Sequence, residues 1–342
     1  FYGFTWLVSM GMAGGILMNA LSGIPYPIGM TVILLVCIMY TLFGGLYAVI
    51  GTDYIQSLVI IVGIVLLGAS VLYSIDLNQV YADVKVEKPM LLKVMLPASL
   101  MAVFNNLLFG VGEVFHSNVW WSRAFAMRKA IEQKAYLLAG LFWFPVPIAA
   151  GFIALTSSTL GINIPSPDMV GPLMASHILG EAGAVIVFIV FFCSLASSID
   201  SLLAATSDLI VEDIYKKMIK PAAQEKEIRK VSMYVIIGIG VLAWMVCLPR
   251  IGTLASVLFF AGPLVTSTIY PIAMGLFWRS ASANGAFWAM VLGSATGLVA
   301  YFTIGWYTAS LIGASVSIVV TFVFSQWQPE QFDWKKLDES KL

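Results

Sequence analysis

Charged residues are scarce in this sequence. Of its 342 residues, 11% are charged and 60% are hydrophobic, and the mean hydropathy is +0.93. Soluble domains are usually about 25% charged and about 45–50% apolar, so a fold with this composition could not cover itself with polar side chains. The composition therefore excludes a soluble globular protein and predicts one that crosses a membrane several times.

The sequence also lacks an excess of either charge, and it has little histidine and cysteine. The 18 basic residues balance the 18 acidic ones, which leaves no basic surface for nucleic acid. The two histidines and the three cysteines (Cys37, Cys193 and Cys247) show no metal-binding or disulfide spacing. There is no phosphate-binding glycine loop and no convincing catalytic triad. We therefore expect neither an enzyme nor an ATP-driven pump.

What the sequence does contain is long apolar runs. A membrane helix needs about 20 mostly apolar residues. The runs predict ten spans, at about residues 1–22, 28–50, 53–75, 97–119, 134–156, 183–210, 231–249, 253–278, 284–304 and 307–327. We predict an all-α polytopic membrane protein with a single transmembrane domain over residues 1–327 and a polar cytoplasmic tail over residues 328–342.

Lysine and arginine collect on one side of these spans. Fourteen of the 18 basic residues lie in alternate connections or in the tail, chiefly in residues 122–135 and 211–230. The positive-inside rule places these segments in the cytoplasm. We expect a multi-pass protein of the plasma (inner) membrane with a cytoplasmic C-terminus. Because the chain begins with Phe1 and not with Met, we also expect that the natural N-terminus is missing.

Serines are concentrated on one face of the predicted span 183–210. Ser194, Ser197, Ser198 and Ser201 follow the helical spacing i, i+3, i+4, i+7, while Asp200 points about 100° away from the centre of that face. A single serine in a membrane helix commonly bonds to the preceding turn or permits close packing. Four on one face suit a cation such as Na⁺, because hydroxyl and carbonyl oxygens are hard ligands.

Carboxylates occur in two other spans. Asp53 starts the span 53–75, where it could cap the helix or bind a cation. Gly110 and Gly112 weaken the span 97–119 beside Glu113, which is costly to place in a membrane. Irregular backbone at that depth is tolerated where it is buried in protein or lines a cavity. The sequence therefore predicts a broken helix that lines a cavity.

Prolines interrupt the predicted span 253–278. Pro263 and Pro271 remove backbone hydrogen bonds, and Thr266 with its neighbouring hydroxyls can satisfy the backbone groups that are left. Interrupted helices around cation ligands near the middle of the membrane are typical of a secondary transporter.

Two long runs resemble the sodium/solute symporter family. They are YTLFGGLYAVIGTDYIQ at residues 40–56 and SSIDSLLAATSDLIVEDIY at residues 197–215, and YPIAMGLFWRSASANGAF at residues 270–287 is similar to a further family helix. The resemblance covers essentially the whole chain. It implies the five-plus-five inverted repeat (LeuT-type) fold, N-terminally truncated, with core helices 3 to 10 and two C-terminal helices present and core helices 1 and 2 absent.

The resemblance also implies ligands for Na⁺ as the coupling ion. The main sodium site would use the carbonyl oxygen of Ser194 and the hydroxyls of Ser197 and Ser198. A second site, which some members have, would use Asp53 and Ser201, with Asp200 as a further candidate ligand.

The run VFHSNVWWSRAFAMRKAIEQKAYLLAGLFWFPVP, at residues 114–147, resembles the urea-transporting branch of the family. Trp143 stands where sugar-transporting members carry a lysine, which argues against a sugar. The expected solute-binding residues are Glu113, Phe115, Asn106, Trp143 and Thr266.

The favoured hypothesis is Na⁺-coupled symport of a small polar solute, urea above others, across the lipid bilayer. Proton-coupled symport, with Glu113 or Asp53 as the proton carrier, is the nearest alternative. An amino acid or a carboxylate remains open as the solute. A membrane sensor module of the same fold and a passive channel are the rivals of other classes.

Overall fold

The computed structural model describes residues 2–93, 95–162, 164–331 and 333. The regular structure throughout these residues is helical. The α-helices are α1 (Tyr2–Ser22), α2 (Tyr26–Ser74), α3 (Leu77–Glu87), α4 (Pro97–His116), α5 (Asn118–Ala126), α6 (Glu132–Trp143), α7 (Pro145–Leu155), α8 (Ser157–Leu160), α9 (Val170–Leu209), α10 (Glu225–Cys247), α11 (Leu254–Phe259), α12 (Gly262–Thr266), α13 (Ile269–Phe277), α14 (Ala283–Thr303) and α15 (Trp306–Trp327). A π-helical segment, Ile210–Ile219, continues α9.

Within the described residues, ten helical segments are long and apolar enough to cross a membrane. They are Tyr2–Ser22, Tyr26–Phe43, Val49–Ser74, Pro97–His116, Glu132–Leu155, Gly183–Ile219, Glu225–Cys247, Leu254–Phe277, Ala283–Thr303 and Trp306–Trp327. Each overlaps one predicted span, so the number and order of the spans are confirmed. Most of the predicted tail, residues 332 and 334–342, lies outside the described residues.

Helix α2 holds two of these spans and bends between them. Tyr40 and Asp53 would lie about 20 Å apart on a straight helix with a rise of 1.5 Å per residue. Their side chains instead reach Asp200 and Ser197, which are close neighbours on α9. The chain therefore changes direction between the two spans, and both spans contact the same part of α9.

The helices group into two compact units. The α9 unit comprises Gly3–Lys93 and Trp121–Leu254, and the α4 unit comprises the described residues of Val94–Trp120 and Ala255–Leu342 together with Tyr2. One core of the α9 unit is formed by Leu67, Val71, Ile153, Met174, Ala175, Val187 and Val190. In the α4 unit, α14 and α15 approach so closely that a Cβ added at Gly293 would lie 2.8 Å from the carbonyl oxygen of Gly313.

Helix α4 is not broken at Gly110 and Gly112, contrary to the prediction. It stays helical over its full length, and the break comes at Ser117, whose backbone is extended (φ −82°, ψ 125°). A glycine costs a helix about 1 kcal/mol, which is less than leaving backbone groups unsatisfied within a membrane. Gly112 has a packing role instead, because a Cβ there would lie 2.9 Å from the carbonyl oxygen of Val265 in α12.

The span Leu254–Phe277 is interrupted, as its prolines predicted. It divides into the short helices α11, α12 and α13. The Thr266 hydroxyl donates to the Gly262 carbonyl at 2.9 Å. The Thr268 hydroxyl donates to the Val265 carbonyl at 2.7 Å. Side-chain hydroxyls thus support the irregular backbone of this span.

Candidate functional site

Serine side chains and backbone oxygens line one side of α9. The Ser198 hydroxyl donates to the carbonyl oxygen of Ser194 at 3.1 Å. The Ser197 hydroxyl donates to the carboxylate of Asp53 on α2. Each of these hydroxyls has one hydrogen and gives it to an acceptor, so the lone pairs of its oxygen are what it can offer to a cation.

A guanidinium group lies at the Ser201 end of this serine face. The Nη2 atom of Arg123 is 2.8 Å from Oδ2 of Asp53 and 2.7 Å from Oγ of Ser201. The Asp53 and Arg123 side chains are 20% and 24% exposed, so the two charges pair while partly shielded from water. We call Asp53, Arg123, Ser197 and Ser201 the α9 network.

Arg123 is the residue that sequence reasoning missed, because it was counted only among the basic residues of the connection 122–135. Helix α5 carries it, and its partner Asp53 lies 70 positions earlier in the chain. Asp53 itself lies inside α2, so it caps no helix. A signal for the pairing was present, since a carboxylate inside a membrane span is costly without a counter-charge.

Asp200 faces away from the α9 network toward the first span of α2. The Tyr40 hydroxyl donates to its Oδ2 at 2.5 Å, and the backbone N–H of Ser201 donates to its Oδ1 at 2.6 Å. Asp200 is completely buried. Its carboxylate therefore takes part in packing between α9 and α2, which agrees with the offset expected from the helical spacing.

Two of the predicted solute-binding residues share one face of α4. Asn106 and Glu113 are seven residues apart, close to two full helical turns. The Glu113 carboxylate accepts a hydrogen bond from the indole N–H of Trp120 at 3.3 Å and another from the Tyr2 hydroxyl. Phe115 lies about 200° around the helix from Glu113, at 100° per residue, and so points to nearly the opposite side.

Thr266 and Trp143 have different surroundings. Thr266 is completely buried, and its hydroxyl lies within hydrogen-bonding distance of the carbonyl oxygens of Gly262 and Ser310. Trp143 belongs to the α9 unit and is 60% exposed. Asn105 is the buried asparagine of α4, and its Oδ1 accepts the Ser310 N–H at 2.9 Å.

An apolar groove of about 430 Å³ lies between α2 and α9. It is lined by Leu58, Val59, Val62, Gly63, Leu66, Ile186, Ile189 and Val190. These residues offer no polar side chain, so the groove suits a hydrocarbon chain better than a polar solute.

The sequence is similar to known membrane symporters. The family model described as Sodium:solute symporter family matches residues 2–293. A urea-proton symporter, DUR3 of Oryza sativa subsp. japonica, is 30% identical over 380 residues, covering 94% of this chain and 52% of that protein. The high-affinity proline transporter PutP of Bacillus subtilis (strain 168) is 23% identical over 348 residues, covering 96% and 73%. This chain thus spans about half the length of the rice relative.

A solved structure has the same fold. It shows a Na⁺-coupled sialic acid symporter in a substrate-bound, outward-open state, and it matches with a TM-score of 0.73 and 19% identity. The match covers 97% of this chain and 74% of that one. At this identity the likeness concerns the fold alone, and it confirms the predicted LeuT-type fold.

Proposed function

The chain belongs to the sodium:solute symporter family, and we propose that its protein is a secondary transporter that couples the movement of a small polar solute to that of Na⁺. Urea is the favoured solute. One observation carries the proposal: a membrane span of α9 presents a run of hydroxyl and carbonyl oxygens beside a carboxylate from α2. Polar and ionisable groups in membrane spans usually mark an ion or substrate pathway.

We place the coupling Na⁺ at the carbonyl oxygen of Ser194 and the hydroxyl oxygens of Ser197 and Ser198. Three features support this position. All three are hard oxygen ligands, they lie on one face of the helix within about one turn, and the Ser197 hydroxyl directs its hydrogen to Asp53. The Ser198 hydroxyl directs its hydrogen to the Ser194 carbonyl itself, so this hydrogen bond has to open when Na⁺ binds. These atoms supply three ligands from one helix, so the remaining ligands must come from outside α9.

We place the solute beside the face of α4 that carries Asn106 and Glu113. An amide-like solute such as urea both donates and accepts hydrogen bonds, and a carboxylate with an asparagine side chain can match both. The other predicted solute-binding residues are Phe115, Trp143 and Thr266, of which Thr266 already bonds to backbone carbonyls.

The matched relatives support this class of solute and also favour one alternative. The rice relative is named a urea-proton symporter and the Bacillus relative a proline transporter. Urea is therefore supported by name, and so is a proton as the coupling ion. In the proton-coupled version, Glu113 is the better carrier, because Asp53 already pairs with Arg123.

Uptake by the full-length protein in proteoliposomes tests the proposal. We expect radiolabelled urea to accumulate when a Na⁺ gradient is imposed at equal pH, with proline and a sugar as comparison solutes. Accumulation driven only by a pH gradient would show that the coupling ion is the proton and not Na⁺. Accumulation of proline but not urea would show that urea is not the solute. An absence of accumulation against a gradient would refute symport.

A serine substitution tests the sodium position within the same assay. Ser198→Ala removes one proposed ligand and should raise the Na⁺ concentration for half-maximal uptake by about tenfold, the effect of about 1.4 kcal/mol. Thr303→Ala is the matched control, because it removes a hydroxyl with the same bond to the carbonyl four residues earlier, on α14. An unchanged Na⁺ dependence in Ser198→Ala would exclude this ligand.

A further inference from the structure

The α9 network contains a cation of its own. Arg123 stands between Asp53 and Ser201, the two residues to which the family resemblance assigns a second sodium ion. We infer that the guanidinium of Arg123 is the resident cation of this position, so that the protein binds one transported cation at Ser194, Ser197 and Ser198 and none at Asp53 and Ser201. The inference rests on the proposed function for its meaning in transport.

The measured distances leave no room for both Arg123 and a sodium ion at the Asp53 and Ser201 oxygens. A single nitrogen, Nη2 of Arg123, lies 2.8 Å from the Asp53 carboxylate and 2.7 Å from the Ser201 hydroxyl. A sodium ion that used the same two oxygens as ligands would sit against that nitrogen. Like charges at such a separation repel strongly in a partly shielded site, and arginine cannot relieve the repulsion by losing its proton.

The hydrogen bonds of Asp53 are complete without a metal ion. Its Oδ2 is paired with Arg123, and its Oδ1 accepts the Ser197 hydroxyl. The negative charge of this carboxylate is therefore balanced within the protein. The main sodium position, by contrast, has oxygen ligands on α9. Among the described contacts, no positively charged side chain bonds to Ser194 or Ser198.

The same geometry predicts what the loss of the guanidinium would create. Without Arg123, the Asp53 carboxylate would face the hydroxyls of Ser197 and Ser201. A carboxylate with two hydroxyls is a set of hard oxygen ligands with one negative charge, which suits Na⁺. Arg123→Gln should therefore convert the network from one that contains a fixed cation into one that binds a free cation.

Thermal unfolding of the purified full-length protein tests this directly. The melting temperature Tm would be measured in rising NaCl, with choline chloride to keep the ionic strength constant. We expect the Na⁺-dependent increase in Tm to be roughly twice as large in Arg123→Gln as in the wild type, because each bound ligand adds its own stabilisation. The double variant Arg123→Gln/Asp53→Asn should lose this gain.

Arg128→Gln is the matched control. It removes the same charge from the same connection, five residues later, and should respond to Na⁺ as the wild type does. The inference is overturned if Arg123→Gln gains no additional response, or if the control or the double variant gains the same response.

A second measurement covers the case in which Arg123→Gln does not fold. In proteoliposomes with the wild-type protein, the number of positive charges moved with each solute molecule can be obtained from the reversal potential. We expect about one charge per solute, whether the ion is Na⁺ or a proton, and a value near two would overturn the inference. An absence of solute uptake would refute the proposed function alone, since the Tm measurement does not depend on transport.

Discussion

Individual polar residues in the spans of this protein have distinct tasks. Asp53 and Asp200 are two carboxylates close to each other on neighbouring helices. Asp53 pairs with a guanidinium, whereas Asp200 is completely buried and bonds to a tyrosine hydroxyl and a backbone N–H. The first belongs to the α9 network, where Arg123 balances its charge, and the second stabilises the packing of α9 against α2.

The contact between Tyr40 and Asp200 should be important for stability. Tyr40→Phe keeps the ring but removes the hydroxyl that donates to the buried carboxylate at 2.5 Å. Leaving a buried acceptor without this partner costs about 1–3 kcal/mol, so we expect a lower Tm in detergent. Tyr73→Phe is the control, because Tyr73 is 95% exposed and should unfold at the wild-type temperature. Equal Tm values for the two variants would contradict the prediction.

At the scale of helices, glycines fix where the helices approach one another. A Cβ at Gly112 would meet the backbone of Val265 at 2.9 Å, whereas a Cβ at Gly110, on the same helix, would meet nothing within 4 Å. Contacts with backbone atoms cannot be relieved by a change of side-chain rotamer. The two glycines of α4 are therefore not equivalent, although the sequence gives them the same appearance.

The pair Gly112→Ala and Gly110→Ala tests this difference. Gly112→Ala should lower the Tm, because overpacking between helices costs about 1–3 kcal/mol. Gly110→Ala should leave the Tm unchanged or raise it, because alanine is favoured over glycine in a helix by about 1 kcal/mol. A loss of stability in Gly110→Ala alone would contradict the assignment of the close helix contact to Gly112.

The start of the α9 span depends on another glycine. Gly180 has φ 69° and ψ −162°, which interrupts the helix just before the span Gly183–Ile219. This conformation is essentially restricted to glycine. Because no atom lies within 4 Å of a Cβ added there, the strain in Gly180→Ala would come from the backbone alone.

Gly180→Ala should therefore destabilise the protein by about 1–3 kcal/mol, the usual cost of holding a residue in such a conformation. Gly151→Ala is the control, since Gly151 lies in the helix α7 and an added Cβ there also meets no neighbour within 4 Å. Chemical denaturation in detergent, compared across both variants and the wild type, would measure the difference. A stable Gly180→Ala variant would mean that this segment readily becomes helical.

At the scale of the whole molecule, the uneven distribution of charge predicts an orientation. Most lysines and arginines lie in the connections that follow alternate spans, and we expect those connections in the cytoplasm. Labelling of single cysteines with a membrane-impermeant reagent tests this in a variant whose native cysteines are replaced. Ala222→Cys should be labelled only after the membrane is opened, and Ala82→Cys in intact cells. The reverse labelling pattern would show that the protein has the opposite orientation in the membrane.

Local sequence patterns were enough to predict the ten spans, the interrupted helix after Leu254 and the serine face of α9. These features follow from hydropathy, proline chemistry and the helical repeat, which act over a few neighbouring residues. The sequence also identified the family, because two long motifs, at residues 40–56 and 197–215, occur in the family's order along the chain.

Which polar groups come into contact depends on the packing of helices that are distant in the sequence. Arg123 pairs with Asp53, which is 70 positions away in the sequence, and Asn105 bonds to Ser310, which is 205 positions away. The tertiary structure also placed the break of α4 at Ser117 and assigned Gly112 to close packing. Such pairings depend on the directions in which separate helices cross, and no local pattern contains that information. The proposed count of transported cations depends on one of these pairings.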